Sequence, residues 1–202
     1  MTDSFIAEAR REQIILACID TLEEVGYNNL SLTKVAKKAK ISTGLISYHF
    51  NDKLYLMNRT LQFLVDKQHE FISNRVLLAQ SEINKLEAFI EAHLTYQETH
   101  YKNNIALIEI VFNARNEENV PYYRIEDDDE DDALRTMLLD ILKTGQQNGV
   151  FSNSFQTDTL ASFILGAIEE RMLKANSSIS IENYSDELIK MVKNSLFKTC
   201  PG

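Results

Sequence analysis

Apolar residues recur along most of this chain at the three-to-four-residue spacing of a helix face, and nowhere for long at the alternation of a strand. Over 8–25 the stripe is Ile14, Ile15, Cys18, Ile19, Leu22 and Val25, and Gly26 follows where a helix should end. After a polar Tyr27-Asn28-Asn29 turn, Ser31 can cap a short helix with Leu32, Val35, Ala36 and Ala39 inward and Lys34, Lys37 and Lys38 outward. Ser42 can cap a second short helix with Leu45, Ile46 and Phe50 inward, which leaves Thr43, Gly44, Ser47, Tyr48 and His49 for its other face. Asn51-Asp52 then opens a long helix carrying Leu54, Leu61, Leu64, Val65, Phe71 and Ile72. Two very short helices between longer ones predict a compact three-helix head feeding a connecting helix.

Further on, Ile83, Leu86, Phe89, Ile90 and Leu94 form one stripe, the run from Ile105 to Phe112 another, and a helix from Leu134 to Gln147 ends before Gly149. The last two segments are richer. Residues 160–168 are apolar around much of the helix, and Leu188, Ile189, Val192, Leu196 and Phe197 make a final stripe. That surplus predicts a two-fold four-helix interface between copies of the chain, with Phe163, Ile164, Ala167, Ile168, Leu188 and Val192 as its face. The expected class is all-α: an N-terminal helix-turn-helix head over 1–55 joined to a helical C-terminal domain over 56–202.

Composition agrees. Among 202 residues there are only 6 Gly, 2 Pro and 2 Cys, which argues against a glycine-rich phosphate loop, a turn-dense β-sandwich and a disulfide framework. Cys18 lies on the first apolar stripe and reads as a small buried hydrophobe. No apolar run approaches the roughly 18 residues needed to span a bilayer, so a soluble, cytoplasmic protein without a membrane partner is expected.

The net charge of -9 is unevenly distributed. Residues 1–55 hold 7 basic and 7 acidic side chains, so the whole excess falls on 56–202. Between 29 and 55 stand Lys34, Lys37, Lys38, Lys40 and Lys53 against the single acid Asp52. A small cationic surface therefore rides on an acidic chain, and since distal charges are screened beyond about 10 Å, the local sign decides what docks there.

Two short helices joined by a tight turn are the device that seats one helix in a major groove about 12 Å wide while its predecessor crosses the backbone. Thr43, Gly44 and Ser47 are small enough for close approach to bases and phosphates, Tyr48 and His49 add hydrogen-bonding groups, and Lys34 and Lys53 add cations. The segment beginning at Leu32, LTKVAKKAKISTGLISYHFNDKLYL, resembles the DNA-binding signature of the TetR family of bacterial transcriptional regulators. The resemblance is carried by Val35-Ala36, Ala39, Ile41-Ser42, Gly44-Leu45, Tyr48-His49-Phe50 and Asp52-Lys53. It implies an all-helical homodimer on a palindromic double-stranded operator, with half-sites about 34–36 Å apart or a multiple. It also implies a C-terminal domain that binds a small-molecule effector, and repression relieved by that effector. The implied DNA contacts are Thr33, Lys34, Ser42, Thr43, Gly44, Ser47, Tyr48, His49 and Lys53.

Two positions depart from the family pattern. Lys40 stands where glycine is usual, at a cost of roughly 1–2 kcal/mol if the turn is left-handed there. Ser47 stands where an aromatic is common, and the run STGLIS followed by an aromatic is similar to the regulators of choline-to-betaine synthesis.

In the C-terminal part, His93, Tyr96, Gln97, His100, Tyr101, Ile108 and Phe112 offer a mix of apolar wall and polar anchors suited to an effector pocket. His93 and His100 share a helical face, but no compact ligand motif accompanies them, so neither metal nor cofactor is expected. The acidic run Glu126 to Asp132 reads as a solvated loop or first helical turn that keeps its face away from DNA. The competing readings are an all-α enzyme or metal-binding protein built on Glu109, Glu117, Glu118, His93 and His100, and a helical interaction module in which the lysines are incidental. No nucleophile-base-orienter set supports catalysis, so no enzymatic activity is expected.

Overall fold

The structure is a computed structural model that describes residues 2–125, 132–173 and 179–197. Among these residues it is all-α, as the periodicity predicts, with one short 3-10 turn at Tyr122–Arg124 and a lone bridge between Arg115 and Pro121. None of its helices is long and apolar enough to cross a membrane. The chain forms two compact units, one from residues up to 67 with 100–125, the other from 68–99 with the described residues after 131.

The first unit holds α1 (Thr2–Asn29), α2 (Leu32–Ala39), α3 (Thr43–His49), the first part of α4 (Lys53–Val76) and α6 (Tyr101–Asn113). Its core is the predicted stripe of α1 closed by Val35 and Ala36, Ile46 and Phe50, and Leu56 and Met57. Burying a side chain such as Phe50, 1% exposed, contributes about 2–3 kcal/mol. Cys18 lies in this core as expected, and burial pushes its thiol pKa up to about 12, so it behaves as an inert hydrophobe.

Ala106, Ile110 and Ala114 from α6 and the residue after it complete the same core. The compact unit thus differs from a head ending at residue 55, because a segment distant in sequence supplies one of its walls. Gly26 shows why. At φ 71 it breaks the helical run of α1, and a Cβ there would approach Glu109 Oε2 to 3.3 Å. The Tyr27 N–H released by the break donates to Glu109 Oε2 at 2.7 Å, while Lys53 Nζ donates to the Tyr27 carbonyl at 2.7 Å. Both backbone groups of Tyr27 are satisfied by side chains, as groups leaving a helix require.

The second unit contains the end of α4, α5 (Glu82–Thr99), α7 (Ala133–Gln147), α8 (Thr157–Leu173) and α9 (Ile181–Leu196). Asp132, the last acid of the run, caps α7 by accepting from the Leu134 and Arg135 N–H groups at 3.1 and 3.0 Å. The rest of that run, 126–131, lies outside the described residues.

Helix α8 turns part of the expected interface inward. Its neighbours α5, α7 and α9 all belong to the same chain, and Ile164, Ile168, Leu188 and Val192 are buried among them. Apolar positions that wrap a helix serve internal neighbours here. Of the expected set only Phe163 is open, 54% exposed, with Ala167 half-buried.

Candidate nucleic-acid interface

The α2–α3 pair is built from its sequence step by step. Ser31 Oγ accepts from the Lys34 N–H at 3.3 Å and starts α2. Lys40 ends it in the left-handed region, φ 56 and ψ 44. The Lys40 N–H returns to the Lys37 carbonyl at 3.2 Å and the Ile41 N–H to the Ala36 carbonyl at 3.0 Å, a Schellman closure that ordinarily uses glycine. Ser42 Oγ then accepts from the Leu45 N–H at 3.2 Å and starts α3. From α1, Gln13 Nε2 donates to the Ala39 carbonyl at 2.9 Å and fixes the end of α2.

This closure turns Ile46 and Phe50 into the core and leaves Ser42, Thr43, Gly44, Ser47 and Tyr48 outward. Tyr48 is 81% exposed and has only an edge-on contact with the His49 ring. An aromatic of that size left in solvent beside four small residues is a surface free to meet a partner. Thr33 and Lys34 are exposed on α2, where Lys34 Nζ donates to the Asn29 carbonyl at 2.7 Å.

Two expected contacts are shaped by neighbours inside the unit. Lys53 is half-buried, its Nζ on the Tyr27 carbonyl and 4.1 Å from the centre of the Tyr27 ring, and burial lowers its pKa. His49 has its pKa lowered by burial and by the charges of Arg11 and Arg10, so at neutral pH it is a neutral hydrogen-bonding ring. Those arginines were not singled out by sequence reasoning. They stand on α1, far in sequence from α3, and only their position off the apolar stripe hints at them.

The expected pocket residues are not brought together in one unit. His93, Tyr96 and Gln97 are buried in the second, where Gln97 Nε2 donates to the Ile168 carbonyl at 3.0 Å and the Tyr96 ring meets Phe71 at 5.3 Å. His100 precedes α6 in the first unit, as do Tyr101, Ile108 and Phe112, the last stacked on Tyr123 at 5.8 Å. With the two histidines in different units, no group of three metal-binding side chains forms among the described residues. Glu109 is occupied by the Tyr27 N–H. The second unit instead carries an open groove of about 710 Å3 between the end of α4, the start of α5 and α7, with Val76, Leu77, Met137 and Ile141 as apolar wall and His69, Lys85 and Asp140 as polar groups.

Comparisons with known proteins agree with this geometry. Residues 14–60, from α1 into α4, match the model of bacterial regulatory proteins of the tetR family. A regulator BetI from Escherichia coli O17:K52:H18 is 28% identical over 119 residues, 58% of this chain and 60% of that protein. One from Klebsiella pneumoniae is 34% identical over 67 residues, 33% of this chain and 34% of its own length. The matched stretches therefore span only part of these relatives. Among solved structures, the fatty acid degradation regulator FadR from Bacillus halodurans aligns at TM-score 0.76 with 19% identity, covering 91% of this chain and 94% of the other. A regulator from Rhodococcus sp. aligns at TM-score 0.72 with 22% identity, over 93% and 98% of the two chains. With the helix pair built as described, the family model and relatives matching that region, and the solved structures aligning over most of its length, this chain has the fold of the TetR-family transcriptional regulators.

Proposed function

We propose that the protein is a ligand-responsive, sequence-specific DNA-binding transcriptional regulator that occupies a palindromic operator as a homodimer and releases it when a small molecule binds. The observation that carries this reading is the outward face of α3. Thr43, Gly44, Ser47 and Tyr48 are exposed together on a helix whose inward face is locked by Ile46 and Phe50. Such a face fits base edges and phosphates, with Thr43 and Ser47 short enough to reach bases and Tyr48 and Lys34 suited to the backbone.

The second copy is argued from the apolar side chains that remain open, Phe163 and Leu173 on α8 and Met191 on α9, together with the spacing two recognition helices need. An effector is supported by the 710 Å3 groove, a volume within the range of small-molecule sites. A related fold, FadR from Bacillus subtilis, was solved in complex with stearoyl-CoA. For this chain the release mechanism requires only that its effector bind the non-DNA conformation more tightly.

Selection of genomic fragments on the purified protein tests the reading. Enrichment of one approximately palindromic site, bound far more tightly than a shuffled duplex at about 150 mM salt, is the expected result. Weak binding without sequence preference would leave only a charge patch and overturn it.

A further inference from the structure

A second concave site lies in the first unit, away from the outward face of α3. It is a groove of about 440 Å3 between the second half of α1 and α2, lined by Thr21, Glu24 and Val25 on one side and by Lys34, Lys37, Lys38 and Lys40 on the other. Four ammonium groups face one carboxylate, in a chain whose overall charge is -9. Lys38 forms an ion pair with Glu24, and Lys34 Nζ is drawn to the Asn29 carbonyl at 2.7 Å, so both are held toward α1. Lys37 and Lys40 are exposed at its edge. Val25 and the lysine stems supply an apolar floor.

From Lys34 to Lys38 the row of cations runs about 6 Å along α2 at 1.5 Å per residue, and Lys40 extends it at the turn beyond the helix. That is longer than one phosphate group and suits several linked in a line. We infer that the α1–α2 groove binds a free, multiply charged phosphate chain, such as a polyphosphate or the phosphate tail of a nucleotide. The concavity favours a small anion over a duplex, whose backbone lies on the outside of a wide cylinder. Charge complementarity supplies the attraction, because the groove carries three more positive than negative side chains. This inference does not depend on the proposed operator binding.

Inorganic tripolyphosphate is the probe, titrated into the full chain at about 150 mM salt without divalent cations and followed by 31P NMR. Saturable binding of one tripolyphosphate per chain is expected, weakened at least tenfold in the double variant Lys37→Gln, Lys38→Gln. A control, Lys143→Gln with Lys190→Gln, removes the same charge elsewhere and should change affinity less than twofold. If the double variant loses helical structure, Lys37→Gln alone should weaken binding at least threefold, since that side chain is exposed. Absence of saturable binding, or equal loss in the control, overturns the inference. So does a chain in which tripolyphosphate fails to bind while the lysine substitutions weaken duplex affinity, since the groove would then belong to the duplex interface.

Discussion

His93 is the residue with the most to reveal in solution. It is buried in the second unit, where Gln68 Nε2 donates to its Nε2 at 2.9 Å and Nδ1 has no hydrogen-bond partner. Burial lowers its pKa to about 4. An unfolded chain takes up a proton near pH 6.5 that the folded chain refuses until about pH 4, so protonation favours unfolding and stability falls as pH drops through that window. The full loss is roughly 3 kcal/mol, at 1.36 kcal/mol per pKa unit. Urea unfolding at pH 7 and pH 4.5 should therefore show a steeper decline for the native chain than for His93→Gln, by about 2–3 kcal/mol. Equal declines would mean that His93 is not held neutral by the fold. Single residues were unevenly legible in the sequence. The opposite fates of Tyr48 and Phe50, two positions apart, follow from helical period alone. The tasks of Lys53 and Glu109 do not, because their partner Tyr27 lies 26 and 82 residues away.

Elements were more legible where each end carries its own chemistry. Ser31 and Ser42 cap the helices they were expected to cap, Gly26 ends the helical run of α1, and Asp52 accepts from the Tyr55 N–H at 2.8 Å at the start of α4. Lys40 takes the left-handed turn that its family position implies, so the departure from glycine alters strain and leaves the geometry. The apolar circumference of α8 is plain in the sequence, but periodicity counts buried faces without saying which helices cover them. One glycine inside a helix escaped notice for a similar reason. Gly145 in α7 faces Phe151, and a Cβ there would lie 2.0 Å from the ring atom Cδ2. Gly145→Ala must displace that buried ring and should destabilise the protein by about 1–3 kcal/mol, despite the better helix propensity of alanine. Thermal unfolding checks this, and a Tm equal to or above the native value would contradict the packing.

Across the chain, the charge division sets a small cationic surface near the N-terminus against an acidic remainder. The excess negative charge falls after residue 55, while the exposed Lys34, Lys37 and Lys40 and the outward face of α3 lie before it. The helix pair was readable because its caps, small outward residues and cations stand at fixed local spacing. The groove of the second unit was not, because its lining comes from α4, α5 and α7 with no local pattern. The proposed reading of DNA by α3 is tested by fluorescence anisotropy on the selected duplex, comparing the native chain with Thr43→Ala, Tyr48→Ala. Neither side chain is buried, so the variant should unfold at the native temperature while binding at least about 30-fold more weakly, the equivalent of about 2 kcal/mol. Native affinity in a folded variant would contradict the assignment of α3 as the recognition helix.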